Sequence, residues 1–238
     1  IIGGYMFENR ELKKLGIEVI EKVKDIDVVD IANQVSSKLI ITFPKSNLDF
    51  MNIYTILIST NMYYANIKEN MSKANFYYKN SNIYFSKEID IENIDEYLFH
   101  ECIHKIQEHK NKKNKLTRMG ICEINELSIK AMALNEAAVQ LLASNILENT
   151  FETATYYDIT FSTVSPNCYP LLCNLIYQMA YVTGEEVLFE STFNSNDHFK
   201  NKFTALCGEN VYNQISNYFD KILETEEKII KISNKMQK

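Results

Sequence analysis

Glycine and proline are scarce, at six and three among 238 residues. With so few breakers and with abundant Leu, Ile, Lys and Glu, the chain reads as mainly helical. No internal repeat and no low-complexity linker is present, so one domain over 1–238 is the simplest organisation, with lobes expected at 1–110 and 111–238. Cysteine is limited to Cys102, Cys122, Cys168, Cys173 and Cys207. The number is odd, the spacing is wide and no CxxC pair occurs. That excludes a cysteine zinc ribbon and argues against a disulfide scaffold at this size. Free buried thiols are the expectation, and they slightly favour a reducing, cytoplasmic compartment. No apolar run reaches the roughly 18 residues of a membrane span, and no signal-peptide pattern is evident. The sequence begins at Ile1 rather than Met, so residues upstream are expected. The apolar stretch Ile1–Phe7 could be the tail of a removed anchor or signal, or an ordinary first element.

The charge balance narrows the partners. The net charge is -6 and the pI about 5.4, which suits a phosphate backbone poorly, so no nucleic-acid partner is expected. The one dense basic run, Lys110, Lys112, Lys113 and Lys115, reads as a solvated loop after a helix.

Periodicity gives the elements. Leu12, Leu15, Val19 and Val23 predict a helix over 8–24, and Met51, Tyr54, Ile58 and Met62 another over 46–66. Lys38–Phe43 (KLIITF) reads as a short strand stopped by Pro44. Asn75–Lys79 and Asn82–Ser86 flank Asn80-Ser81 and predict an aromatic β-hairpin. Asp90, Asn93 and Asp95 offer caps for a helix over about 93–110. Further helices are expected at 132–148, 169–182, 185–192, 198–206 and 209–234, with turns at 165–167 and 182–184. A hairpin feeding a run of helices is an α+β, mainly helical architecture, with a small N-terminal sheet and a helical C-terminal part.

Only four histidines exist. Two of them make His100-Glu101-Cys102-Ile103-His104, an HExxH string on the helix expected at 93–110. Histidines four apart lie about 40° apart around a helix and one turn apart in height. Both imidazoles can then reach one ion, and zinc takes nitrogen ligands at roughly 2.0–2.1 Å. Glu101 is rotated by about 100° from His100, so its carboxylate can sit beside the metal without binding it. There it can take a proton from a water acidified by the metal and return it to a leaving amine. Cys102 is turned about 200° from His100 and reads as core packing. His109 points off the ligand face.

Catalytic zinc usually has three protein ligands. No HxxGxxH follows, so the third should be a downstream carboxylate. Glu123 lies 19 residues after His104 and Glu136 lies 32 after it. Leu134-Asn135-Glu136-Ala137-Ala138-Val139-Gln140 resembles the Leu-Asn-Glu-Gly-Phe-Ala element of thermolysin-like and aminopeptidase-like gluzincins, a branch of the zincin metallopeptidases. The resemblance covers about 45 residues. It implies a zincin-like fold, one Zn2+ held by His100, His104 and Glu136, Glu101 as general base, and peptide-bond hydrolysis in a peptide or protein substrate. Two departures stand out. The common aminopeptidase spacing would fall on Glu123 instead, and Gln140 replaces an aspartate that often buttresses a ligand histidine.

Such chemistry also requires a donor for the developing oxyanion. Tyr157 is the first choice, with Tyr156, Tyr169, His109 and His198 behind it. The hairpin before the motif could offer a sheet edge to an extended substrate, or could only cover the core. The alternative function is a non-catalytic, zinc-containing binding protein.

Overall fold

The computed structural model describes residues 10–236 other than 70, 126 and 157. Ile1–Phe7, Glu126 and Tyr157 therefore lie outside the described residues. About 53% of the chain is helix and 19% strand, in small sheets, so the class is α+β. The chain divides into two compact units. One comprises Ile1–Ile41 and Asp49–Ile106, the other Thr42–Leu48 and Gln107–Lys238.

The first unit contains β1 (Ile17–Lys22), α1 (Asp25–Thr42), α2 (Phe50–Ile58), β2 (Met62–Ile67), β3 (Ala74–Tyr77), β4 (Asn82–Phe85) and α3 (Glu96–Ile106). Its sheet has the order β1-β2-β4-β3, antiparallel except for the parallel β2–β4 pair. The aromatic hairpin forms where the sequence predicts it, with Tyr77 opposite Asn82 and Ala74 opposite Phe85. Ser81 makes the turn with a left-handed φ of 60°. Leu12, Ile17, Ala65, Tyr77 and Tyr84 form a buried cluster on this sheet. α3 packs on β3 and α2.

Four expectations in this unit are corrected. Of the helix expected over 8–24, the described residues 10–15 are helical, and Gly16 then turns the chain at φ 94°. Ile17–Lys22 is a strand paired with β2, since alternating Ile17 and Val19 suit a pleated surface. Lys38–Thr42 is helix rather than strand, because it continues α1. Val28, Ile31, Ala32, Val35 and Leu39 are buried at helical spacing, and Pro44 stands just past the end. The helix expected over 46–66 is shorter: Asp49 caps α2 by accepting the Asn52 N–H at 2.7 Å, and Met62–Ile67 is strand. The helix expected to reach 110 ends at Ile106.

The second unit opens with an antiparallel meander, β5 (Glu108–Lys110), β6 (Leu116–Met119), β7 (Cys122–Ile124) and β8 (Ile129–Lys130). The Lys112 and Lys113 side chains are exposed in its first turn. α4 (Met132–Ile146) follows, then the hairpin β9 (Glu152–Tyr156) and β10 (Ile159–Thr163). Four helices finish the chain: α5 (Pro170–Thr183), α6 (Glu185–Asn194), α7 (His198–Cys207) and α8 (Glu209–Met236). α4 is buried over almost its whole length and packs on α5, α6 and α8. Its alanines let those neighbours close around it. Among the described residues no helix is long and apolar enough to cross a membrane.

Candidate metal centre

Asp95 starts the motif helix. Its Oδ1 accepts the Leu98 N–H at 3.1 Å, satisfying a first-turn donor that has no partner inside the helix. Leu98, Phe99, Cys102 and Ile103 are buried and fix the rotation of α3. That rotation stacks His100 and His104 one above the other, both buried. Their Nε2 atoms are 2.9 Å apart and their rings cross at 69°. Two nitrogens that close either share a proton or share a cation. A zinc ion at its usual distance of about 2.0–2.1 Å from nitrogen can touch both, so the donor chemistry fits the metal. Phe76 lies nearly parallel to the His104 ring, with centroids 6.4 Å apart.

Glu101 is also buried, and its Oε2 accepts the backbone N–H of Phe76 at 2.7 Å. β3 is an edge strand in the order given above, so this N–H is not used by the ladder with β4. The carboxylate is held by a main-chain donor that no substitution except proline removes. The neighbouring Cys102 thiol is wholly buried, and burial followed by the Glu101 charge raises its pKa far above the usual thiol range. It is inert packing, as its position on the helix implies.

No family model matches this chain, and no curated protein or solved structure is similar to it. The site has to be read from its own residues.

In the second unit, Glu136 is the one acidic side chain of α4, and it is half-buried. α4 begins after Ala131, which has a left-handed φ of 59° and no side-chain cap. Asp220 of α8 supplies what is missing, accepting the Ala133 N–H at 3.0 Å. Asn135 Oδ1 accepts the Ile121 N–H at 3.1 Å, tying α4 to the start of β7. Gln140 donates to Ser165 Oγ at 2.9 Å, so its amide N–H serves the turn before α5. Glu123 lies on β7, where its carboxylate pairs with Lys200 at 3.0 Å.

The other candidates are scattered. His109 is an exposed residue of β5, and its carbonyl accepts from Thr117 Oγ1. His198 Nδ1 is 2.9 Å from Glu190 on the surface. Burial raises the Glu190 carboxyl, but hydrogen bonds from His198, Asn196 and Asn194 outweigh it and leave the pKa lowered. Tyr169 precedes α5 with a left-handed φ of 48°. Tyr156 ends β9 and is hydrogen-bonded to Glu226.

Two groups were missed by sequence reasoning. The Phe76 N–H leaves no trace in residue identity, because every residue but proline carries one; only the expected sheet edge pointed near it. Asp220 is 87 residues from the helix start it caps, and no local pattern reaches that far.

Proposed function

We propose that this chain is a zinc-dependent peptidase of the zincin type. His100, His104 and Glu136 hold one Zn2+, and Glu101 acts as general base. The observation that carries the reading is the pair of buried imidazole nitrogens 2.9 Å apart on the turn that also bears a fixed, buried carboxylate. The donor set is two neutral nitrogens and one carboxylate oxygen, a common catalytic zinc combination that leaves room for water. Glu123 is the weaker third donor, since its carboxylate already serves Lys200.

A bound Zn2+ supplies Lewis acidity, bringing the pKa of water from about 16 towards about 7. Glu101 takes the proton of the attacking water while the Phe76 N–H holds its Oε2. It then delivers that proton to the leaving amine. The outer edge of β3 can receive an extended peptide by strand addition beside the base. The zincin-like fold, the hydrolase activity and the peptide substrate all belong to this proposal.

The test measures zinc by elemental analysis and cleavage of casein and a peptide library for four proteins. Wild type is expected to hold about one zinc and to cleave. Glu101→Gln should keep the zinc and lose cleavage by roughly 10²–10⁴-fold, the share of a general base. Glu136→Ala should lose the zinc, and Glu123→Ala should keep both zinc and cleavage. A wild type that binds zinc but cleaves nothing would instead indicate a non-catalytic zinc protein. Zinc retained by Glu136→Ala and lost by Glu123→Ala would move the third ligand to β7.

A further inference from the structure

The metal centre makes no use of the densest basic run in the chain. Lys110, Lys112, Lys113 and Lys115 fall within six consecutive positions that hold no acidic residue, in a chain whose net charge is -6. They surround the β5–β6 turn of the meander in the second unit. Asn111 shapes that turn. Its Oδ1 accepts the N–H groups of Lys113 and Lys115 at 2.9 and 3.1 Å, and Asn114 takes a left-handed φ of 59°. Lys112, Lys113 and Lys115 are exposed, while Lys110 is half-buried and pairs with Glu108 at 3.2 Å.

A second tip stands beside this one. Each strand of the meander runs antiparallel to its neighbour. The β5–β6 and β7–β8 turns therefore leave the same end of the sheet, and the β6–β7 turn leaves the other. At the usual strand spacing the two tips are about 10 Å apart. The β7–β8 tip is pinned by Asn125, whose Oδ1 accepts the N–H groups of Leu127 and Ser128 at 3.0 and 2.8 Å. Held that way, Leu127 is 98% exposed, and Ile129 just behind it is 47% exposed. One exposed leucine is ordinary on a protein surface. A leucine presented in full on a hydrogen-bonded tip, next to a tip of lysines, is a match for an anionic bilayer. Anionic headgroups attract the ammonium groups, and the acyl boundary receives the leucine.

The acidic remainder of the chain does not cancel this attraction. Salt screens charges beyond about 8 Å at physiological ionic strength, so the surface responds to the side chains that reach it. Nucleic acid is the poorer match, because neither turn carries an arginine or an aromatic ring to stack on bases. We propose that this end of the meander docks the protein on an anionic lipid surface. Lys112, Lys113 and Lys115 draw it to the headgroups, and Leu127 inserts beneath them.

Sedimentation of the full chain with vesicles tests this, using phosphatidylcholine alone and phosphatidylcholine mixed with phosphatidylserine. At about 0.15 M salt, wild type is expected to bind the mixed vesicles at least tenfold more tightly. At about 1 M salt, where the screening length is about 3 Å, that preference should vanish. Each lysine near such a surface is worth about fivefold in affinity. The double variant Lys112→Glu, Lys113→Glu should therefore weaken binding by at least tenfold. Leu127→Ser should weaken it by about tenfold, the scale of burying one leucine side chain, and should keep the salt dependence. Both variants change exposed turn side chains, and an unaltered melting temperature shows that the fold is kept. The inference is overturned if wild type binds neither vesicle or binds both equally, or if its preference survives high salt. It is also overturned if either variant binds as wild type does. A wild type that binds a single-stranded oligonucleotide but no vesicle overturns it in favour of a nucleic-acid site. None of these results bears on zinc content or on the role of Glu101, so the two proposals stand or fall separately.

Discussion

Gly120 turns the chain between β6 and β7 with a φ of 57°. A methyl group there would sit inside the van der Waals shells of Asn135 Oδ1 and Gln107 Nε2. Those two side chains bond to each other, and Asn135 also holds Ile121. Gly120→Ala would thus combine a left-handed alanine with displacement of a buried polar network. The expected loss is about 2–4 kcal/mol of unfolding free energy, read as a lower urea midpoint for the transition of the second unit. A loss of about 1 kcal/mol, the low end of the penalty for a left-handed L-residue alone, would mean that the network yields without consequence. At this scale the sequence is legible where chemistry depends on residue type. His100, Glu101 and His104 stand out because few residue types bind metal and their spacing matches a helical turn. The glycine requirement at 120 and the Phe76 N–H are not legible, since both arise from contacts with residues distant along the chain.

At the scale of elements, legibility follows how local the cause is. The β3–β4 hairpin is written in twelve consecutive residues, alternation on either side of a polar turn. The helices from 132 onward show their period over many turns. The errors fall where a short window fits two patterns. Val19 and Val23 fit a helical stripe, yet partnering with β2 makes Ile17–Lys22 a strand. Lys38–Thr42 is rich in β-branched residues, yet it extends a helix already anchored by Ile31, Val35 and Leu39. Asp95, at the start of α3, gives this scale a pH test. Burial raises its carboxyl pKa, while N–H donors from Leu98 and Tyr97 and the charge of Lys73 pull it back without cancelling the rise. A carboxyl raised on folding contributes fully below its unfolded value of 3.8, and that contribution is lost as pH climbs through the folded value. Asparagine caps a helix as well as aspartate does and does not titrate. Asp95→Asn should therefore gain stability relative to wild type between pH 3 and pH 7, by about 0.5 kcal/mol once solvent screening is allowed for. Urea unfolding of both proteins across that range measures the difference. A gain that shrinks as pH rises would show that the cap donors outweigh burial.

At the scale of the whole molecule, the proposed zinc should report on folding as well as on chemistry. An ion that binds the folded chain and not the unfolded one raises stability by mass action, about 2.7 kcal/mol at a free concentration one hundred times its Kd. For a chain of this length each kcal/mol moves the melting temperature by about 2–4 °C. Chelation should then lower the wild-type melting temperature by about 5–10 °C, and added zinc should restore it. His104→Ala should melt at a temperature indifferent to both treatments. Glu136→Ala carries the sharper expectation. With two of three ligands intact it should need much more zinc to recover the same shift, whereas Glu123→Ala should respond as wild type does. Scanning calorimetry with and without chelator reads all four proteins. If the wild type melts at one temperature regardless of chelator and zinc, the two imidazoles on α3 share a proton rather than a cation, and the role assigned to Glu101 falls with the metal.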